Sequence, residues 1–327
     1  MPERDRLLQS IAATVADYRL GELASPSPQH VDQWIQQFPV LVQQPILTEL
    51  EHVLAKTYFT KAKVLAFLSS LVTNAKLAGA DPCSFWRGVK FLKIQGGGNS
   101  QSEMLQLFSE ALYGHCGFTV DQCGENPTAY LYLDDVIFSG GRIRTDLTAW
   151  INQTAPATAT VHVVTIGEHS LGTWYANKEI RSAATAANKT LQIKWWRAVE
   201  IENRRSHTDV SDVLRPTVIP NDAATQAYVE NLGYPPVLRT PGSVGGRHFF
   251  SSEQGRSLLE QEFLKVGVYI RSICPNLGVY QRPLGNMVLK TTGFGSMIVT
   301  FRNCPNNAPL ALWAGNPWYP LFRRKTN

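Results

Sequence analysis

Residues 129–147 read AYLYLDDVIFSGGRIRTDL, an order of residue types that fits one local structure. Ala129 to Leu133 form an uninterrupted apolar run rich in aromatic and large aliphatic side chains, the pattern of a strand covered on both faces in a parallel sheet. Asp134 and Asp135 follow directly, then Val136, Ile137 and Phe138, then the turn Ser139-Gly140-Gly141. Beyond the turn, Ile143, Leu147, Trp150 and Ile151 recur at the spacing of one helical face. The unit is strand, acidic pair, glycine turn, helix. Free amides at a helix N-terminus and a turn built of glycines can close around a phosphate. Carboxylates repel that phosphate but accept hydrogen bonds from vicinal sugar hydroxyls, so pair and turn together suit a ribose 5-phosphate held at two points. The bland alternative is a strand ending in a solvated Asp-Asp turn before a glycine-opened helix.

Related units flank this one. Val89 to Ile94 reads as a strand, followed by Gln95, Gly96, Gly97, Gly98 and Asn99; Ser100 and Glu103 then have the spacing of a capping box ahead of Met104, Leu107, Phe108, Ala111 and Leu112. Val161 to Ile166 is a third strand, leading through Gly167-Glu168-His169-Ser170 into a helix that runs to about Ala187. Leu191 to Val199 is a fourth, with Trp195 and Trp196 on opposite faces. His162, inside an apolar run, reads as a satisfied core histidine. Glu168 and His169 stand at the C-terminal end of a strand, where ligands gather in parallel sheets, and are candidates to approach a base or nucleophile. The alternation predicts an α/β fold: a parallel, Rossmann-like sheet with right-handed crossovers and the Asp134-Asp135 turn at the middle of its C-terminal edge.

The flanking regions differ in character. Residues 1–85 read as amphipathic helices, with Pro39 and Pro45 bounding a connection, and 86–202 as the α/β core. Residues 203–327 form an α+β extension rich in prolines and turns. In the extension, Ser251 and Ser252 open a helix in which Arg256 and Glu260 lie four apart as a supporting pair. Glu262 falls on that helix's apolar side, where a carboxylate needs a partner such as Arg271 or Arg282. The asparagines and tryptophans of the tail are turn and core formers first, although both types can also contact nucleic-acid bases. Charged residues make up 17% of the chain, below the roughly 25% usual in soluble domains, so part of the surface is expected to carry an interface. The net charge of +5 permits an anionic partner without requiring one. No apolar run reaches membrane-spanning length and the first residues lack a signal-peptide core, so a cytoplasmic protein that contacts no membrane is expected. Five cysteines, an odd number, fit reduced thiols better than a disulfide framework. His115-Cys116 with Cys123 lacks the short Cys-x-x-Cys spacing of zinc sites, and no metal ligands are expected there.

The Leu133 to Arg142 order resembles the phosphoribosyl pyrophosphate (PRPP) loop of type I phosphoribosyltransferases, in which a hydrophobic strand runs into two acids, two apolar residues and a Thr-Thr-Gly-Gly-Thr turn. The resemblance implies that Asp134 and Asp135 hold the ribose hydroxyls and that Ser139, Gly140, Gly141 and Arg142 cradle the 5-phosphate. It also implies that Gly96, Gly97, Gly98 and Ser100 sit where the pyrophosphate loop would be, with Mg2+ accompanying PRPP. Phe138 replaces the first threonine of that pattern. Arg142 replaces a phosphate-touching threonine, and either supplies a charge-assisted contact or points elsewhere and weakens the site. More narrowly, LDDVIFSGG, the helix EQGRSLLEQEFLKVG and the ending CPNNAPLALW with WYPLFRR look like the phosphoribosyltransferase-like effectors of bacterial conflict systems, PRTase-CE, some of which accompany retron reverse transcriptases. This resemblance spans most of the chain. It implies an anti-phage effector that binds PRPP or a related ribosyl phosphate and transfers or hydrolyses it as a toxic activity. Its candidate partners are a reverse transcriptase with its non-coding RNA or DNA, and a second copy of the chain. The alternatives are a non-catalytic nucleotide-binding sensor on the same fold, or a nucleic-acid-binding partner of a reverse transcriptase.

Overall fold

The computed structural model describes residues 1–97 and 99–325; Gly98, one of the candidate pyrophosphate-loop glycines, lies outside the described residues. The chain forms two compact units, one from Met1–Lys61 together with Glu202–Asn327, the other from Ala62–Ile201.

The chain opens with helices α1 (Glu3–Thr14), α2 (Pro28–Ile35) and α3 (Val40–Thr57) and a two-residue strand β1 (Tyr58–Phe59). α2 starts at Pro28 because proline suits the first helical turn, where a missing amide costs nothing, and the Ser27 side chain accepts from the His30 amide. Pro45, expected to bound a connection, lies inside α3. It removes one helical hydrogen bond, and the buried row Ile46, Leu47, Leu50, Val53 and Leu54 holds the helix through it.

The second unit carries α4 (Lys61–Val72), α5 (Ala75–Ala78), α6 (Pro82–Arg87), β2 (Val89–Phe91), α7 (Ser100–Cys116), β3 (Ala129–Ile137), α8 (Gly141–Gln153), β4 (Thr158–His169), α9 (Ser170–Ala186) and β5 (Thr190–Ile201). Its four strands pair in the order β2-β3-β4-β5, all parallel, as the α/β reading requires. β3 does not stop before the acids. It stays in register with β4 as far as Ile137 opposite Glu168, so Asp134 and Asp135 are strand residues. Ile143, Leu147, Trp150 and Ile151 of α8 meet Ala176, Ile180 and Ala184 of α9 over Tyr132, Val161, Val163 and Ile193 of the sheet. Each large aliphatic chain buried there contributes about 1.5–3 kcal/mol. Trp195 and Trp196 take opposite faces, Trp195 toward Asn177 of α9 and Trp196 toward His162, whose Nδ1 accepts the indole N–H at 3.0 Å. Burial pushes His162 down to about 4, which keeps it neutral as a core residue.

The cysteines depart from expectation: Cys83 and Cys116 form a disulfide. Cys83 lies in the first turn of α6 and Cys116 ends α7, and a separation of 33 residues hides their proximity in the sequence. Cys123, Cys274 and Cys304 are free thiols.

The chain then adds α10 (Ala223–Glu230), α11 (Glu253–Ile273), β6 (Gln281–Arg282), β7 (Gly285–Asn286), β8 (Val299–Thr300) and α12 (Leu310–Trp313) to the first unit, and β8 pairs in parallel with β1. Ser252 caps α11 through the Gly255 amide. Glu262 is paired with Lys265 one turn along at 2.5 Å, not with Arg271 or Arg282, because the i,i+3 lysine of its own helix reaches it first. Arg256 and Glu260 are not a surface pair: both are fully buried, with Arg239 as a third member. The tail indoles are core. Trp313 and Trp318 donate to the carbonyls of Ala308 and Ala311, and Trp34 of α2 donates to that of Ala311 as well. Among the described residues no helix is long and apolar enough to cross a membrane.

Candidate functional site

The two glycine turns come together at the C-terminal ends of the neighbouring strands β2 and β3. In the turn after β3, Gly140 caps α8 with φ 75°, a left-handed conformation that favours glycine, and no side chain caps the helix. Ser139 and Arg142 are exposed, and Gly141 donates weakly to Ser139 Oγ at 3.4 Å. The first-turn amides of α8 therefore face an open turn, the arrangement that binds anions at a helix N-terminus.

Gly140 has a second reason to be glycine. A Cβ there would collide with the Gly172 carbonyl oxygen, and a Cβ on Gly172 would collide with the Phe138 carbonyl oxygen. The turn thus lies directly on the first turn of α9. Phe138, the departure from the expected threonine, stacks its ring on His169 at 4.9 Å between centroids.

The turn after β2 is ordered by two glutamines. Gln101 Oε1 accepts the amides of Ile94 (2.8 Å) and Gln95 (3.0 Å), and Gln95 Oε1 in return accepts the Gln101 amide (3.1 Å). The expected Ser100-Glu103 box does not form, because α7 begins at Ser100 itself and the Gln95 amide bridges to Ser100 Oγ at 2.9 Å. Gly96 and Gly97 are exposed, and the Arg142 guanidinium comes to 3.9 Å of the place a Cβ on Gly97 would occupy. Arg142 thereby spans from one turn to the other.

The two acids differ. Side chains alternate along a strand, so Asp134 and Asp135 leave β3 on opposite faces. Asp134 is 7% exposed, with the Gln95 amide at 3.4 Å and the Tyr132 hydroxyl at 3.5 Å, and its Oδ1 accepts the Asp135 amide at 2.9 Å. Asp135 is half-buried and its Oδ1 accepts the Val136 amide at 2.7 Å.

A third carboxylate belongs to this cluster. Asp146 of α8 is buried and accepts the Tyr132 hydroxyl at 2.9 Å, and the Gly96 amide is near enough to favour its charged form. Burial raises its carboxyl above the ordinary range, against the opposing pull of Tyr132, Arg142 and the Gly96 amide. Tyr132 is itself pushed up, by burial first and then by Asp134 and Asp146, and stays a neutral donor. Asp146 carried a readable signal: it sits among Ile143, Leu147 and Trp150 on the apolar face of its helix, where a carboxylate needs a reason to be. Gln95 and Gln101 carried none, because two glutamines pairing across a turn leave no periodic pattern, and Gly172 carried none, because Phe138, which it packs against, is distant in sequence.

Glu168 and His169 end β4 but do not reach solvent. His169 is fully buried, donates from Nδ1 to the Ile137 carbonyl at 2.8 Å, and is pushed down to about 4 by burial. Glu168 is raised to about 7 by burial, with Arg197 at 3.4 Å and the Thr165 hydroxyl partly opposing the shift. Among the described residues, ligand atoms of Cys83, His115 and Cys116 lie within 4.8 Å of one another. Two of the three are joined as a disulfide, which removes the thiolates a metal would need. Cys123, grouped with His115 and Cys116 on sequence grounds, is not a member of the cluster.

No curated protein and no solved structure matches the chain. One family model does, over residues 31–324, nearly the whole length: PRTase-CE.

Proposed function

The chain belongs to the PRTase-CE family, and from that premise we propose that it binds PRPP, or a related ribosyl phosphate, on the edge formed by the ends of β2 and β3, and transfers or hydrolyses the phosphoribosyl group as an effector of bacterial anti-phage defence. The observation that carries this reading is the joining of two glycine turns on adjacent parallel strands by one polar cluster: Gln95 with Asp134, Gly96 with Asp146, and Arg142 beside Gly97.

In this reading the α8 amides, which no side chain caps, take the 5-phosphate, and Arg142 adds charge to it. Asp135, the more exposed acid, accepts from a ribose hydroxyl, while buried Asp134 holds the second turn through Gln95. The bond from the anomeric carbon to the pyrophosphate oxygen breaks and pyrophosphate leaves with the electron pair; an acceptor or water forms the new bond and gives up its proton to the departing pyrophosphate or to solvent. Carboxylates fixed beside that carbon favour the positive charge it develops. The oxygen donors of this edge suit Mg2+, which would neutralise the leaving pyrophosphate.

Calorimetric titration of Mg-PRPP tests the reading. Binding is expected to the intact protein and not to the Asp134→Asn, Asp135→Asn double variant; an intact protein that takes up no PRPP would overturn it. Binding without pyrophosphate release would favour a sensor that holds PRPP and does not consume it, a reading supported by the burial of Glu168 and His169, which leaves neither as a base. As an effector the protein would be restrained by a partner, for which a retron reverse transcriptase with its non-coding RNA or DNA is the candidate; co-purification tests that.

A further inference from the structure

The unit built from both ends of the chain contains a cavity of about 740 Å³, lined by residues of the α1–α2 connection, the end of α11 and the C-terminal tail. Four cations line it: Arg19, Arg323, Arg324 and Lys325. Among the described residues lining it there is no carboxylate. The nearby acid is Glu22, which pairs with both Arg19 (2.8 Å) and Lys325 (2.7 Å) and so offsets one charge of the four.

Arg324 is the informative member. It is half-buried, its Nε donates to the Cys304 carbonyl at 2.9 Å, and its guanidinium lies 4.8 Å over the Trp313 ring. These contacts fix the plane of the fork, yet its two Nη groups find no acceptor among the described residues. Burial lowers its proton affinity, as expected of a cation withdrawn from water without a carboxylate beside it. Partly buried guanidinium groups are normally paired, and a fixed fork with free donors is the geometry that recognises phosphate.

Backbone strain falls at the same place. Among the described residues four non-glycines have positive φ, and two of them, Arg19 (φ 50°) and Asn316 (φ 40°), line this cavity. Arg19 is held there by its amide on the Phe301 carbonyl (2.7 Å) and its guanidinium on the Arg323 carbonyl (3.0 Å). Conformations of this kind persist where the surroundings enforce them, and they cluster at ligand sites. The volume far exceeds one phosphate and falls in the range of nucleotide-sized ligands. Asn316 and Gln281 add side-chain amides, which can read a base edge.

We propose that this cavity is a second ligand site, separate from the turn after β3, that takes a phosphorylated nucleoside: the phosphate on Arg323, Arg324 and Lys325, the base toward Asn316 and Gln281. The source is either a free nucleotide or a nucleotide of a single-stranded nucleic acid. Both carry the same recognition chemistry, and the test separates them.

Three probes are titrated into the full-length protein: ATP, inorganic triphosphate and a fluorescein-labelled 12-nucleotide single-stranded DNA. Each is repeated with Arg323→Glu plus Lys325→Glu, two exposed side chains whose replacement leaves the buried Arg324 contacts in place. The milder pair Arg323→Ala plus Lys325→Ala serves should the reversal disturb folding. ATP or the oligonucleotide is expected to bind, at least tenfold more weakly in either paired variant, and unchanged in Asp134→Asn with Asp135→Asn. Tighter binding of the oligonucleotide, with a salt slope that falls by about two in the variant, identifies nucleic acid as the source; preference for ATP identifies the free nucleotide. Failure of both to bind, binding that survives the paired substitutions, or inorganic triphosphate binding as well as ATP would overturn the proposal.

Discussion

At Gly172 an added Cβ meets the Phe138 carbonyl, and at Gly140 it meets the Gly172 carbonyl, so the glycine turn after β3 depends on a residue outside it. Gly172→Ala is expected to lower stability by roughly 1–3 kcal/mol or more, since backbone must move. Gly140→Ala adds the left-handed penalty of about 1–2 kcal/mol. At Gly141 the nearest atom is Ser139 Oγ at 3.5 Å, an ordinary contact, and Gly141→Ala should stay within about 1 kcal/mol of the parent. Urea denaturation of the three variants reads the contrast; equal losses at 141 and 172 would contradict the packing. Glu168 makes a second prediction. Its folded pKa is raised to about 7 from 4.5, so the folded state holds a proton there that the unfolded chain releases. The stability this confers is complete below 4.5 and is lost as pH rises through about 7, a swing of roughly 3 kcal/mol at most. Glu168→Gln removes this falling contribution and leaves the rising one of His162 and His169, so the variant's stability should climb more steeply with pH between about 5 and 6.5 than the parent's. His162 and His169, lowered to about 4, act in the opposite sense: their contribution is full above 6.5 and lost as pH falls through about 4.

Elements differ in how openly the sequence declares them. The strands and helices of the sheet unit follow from apolar runs of strand length alternating with helical periodicity, and β2 to β5 lie where those runs are. The end of β3 was not legible, because Asp134 and Asp135 are poor strand formers, and hydrogen bonds to β4 carry the strand past them. Helix α11 shows the same limit. Arg256 and Glu260 at i,i+4 look like a solvated pair, and only folding reveals Arg239 donating to both oxygens of Glu260 at 3.0 and 2.8 Å, with the Arg215 amide at 3.0 Å. Burial raises the Glu260 carboxyl while the two guanidinium groups pull it back. Glu260→Gln leaves two buried cations short of their counter-charge and is expected to cost about 3–5 kcal/mol, more than Glu262→Gln, whose single partner Lys265 reaches solvent. Thermal denaturation of both variants compares them.

At the scale of the whole molecule, the tail's tryptophans and the opening helices share a core, as Trp34 and Trp318 do at the Ala311 carbonyl. Such partnerships join residues nearly 300 positions apart and leave no local trace. The Cys83–Cys116 bridge is equally silent in sequence. In the chain-entropy account, closing a 33-residue separation stabilises by about 3–4 kcal/mol. Dithiothreitol should lower the urea midpoint of the parent and leave Cys83→Ser unmoved; an identical response in both would mean the bridge carries no stability.

The seating of the turn on α9 divides its positions by evolutionary freedom. Phe138 and Gly140 are pinned from below by His169 and Gly172, and a change at either calls for a matching change in another element. The side chains of Ser139 and Arg142 are exposed, and a side chain added at Gly141 would meet only Ser139 Oγ at an ordinary distance. A lineage, or a laboratory library, that varies the proposed anion site would draw its variation from those three and keep the other two as scaffold.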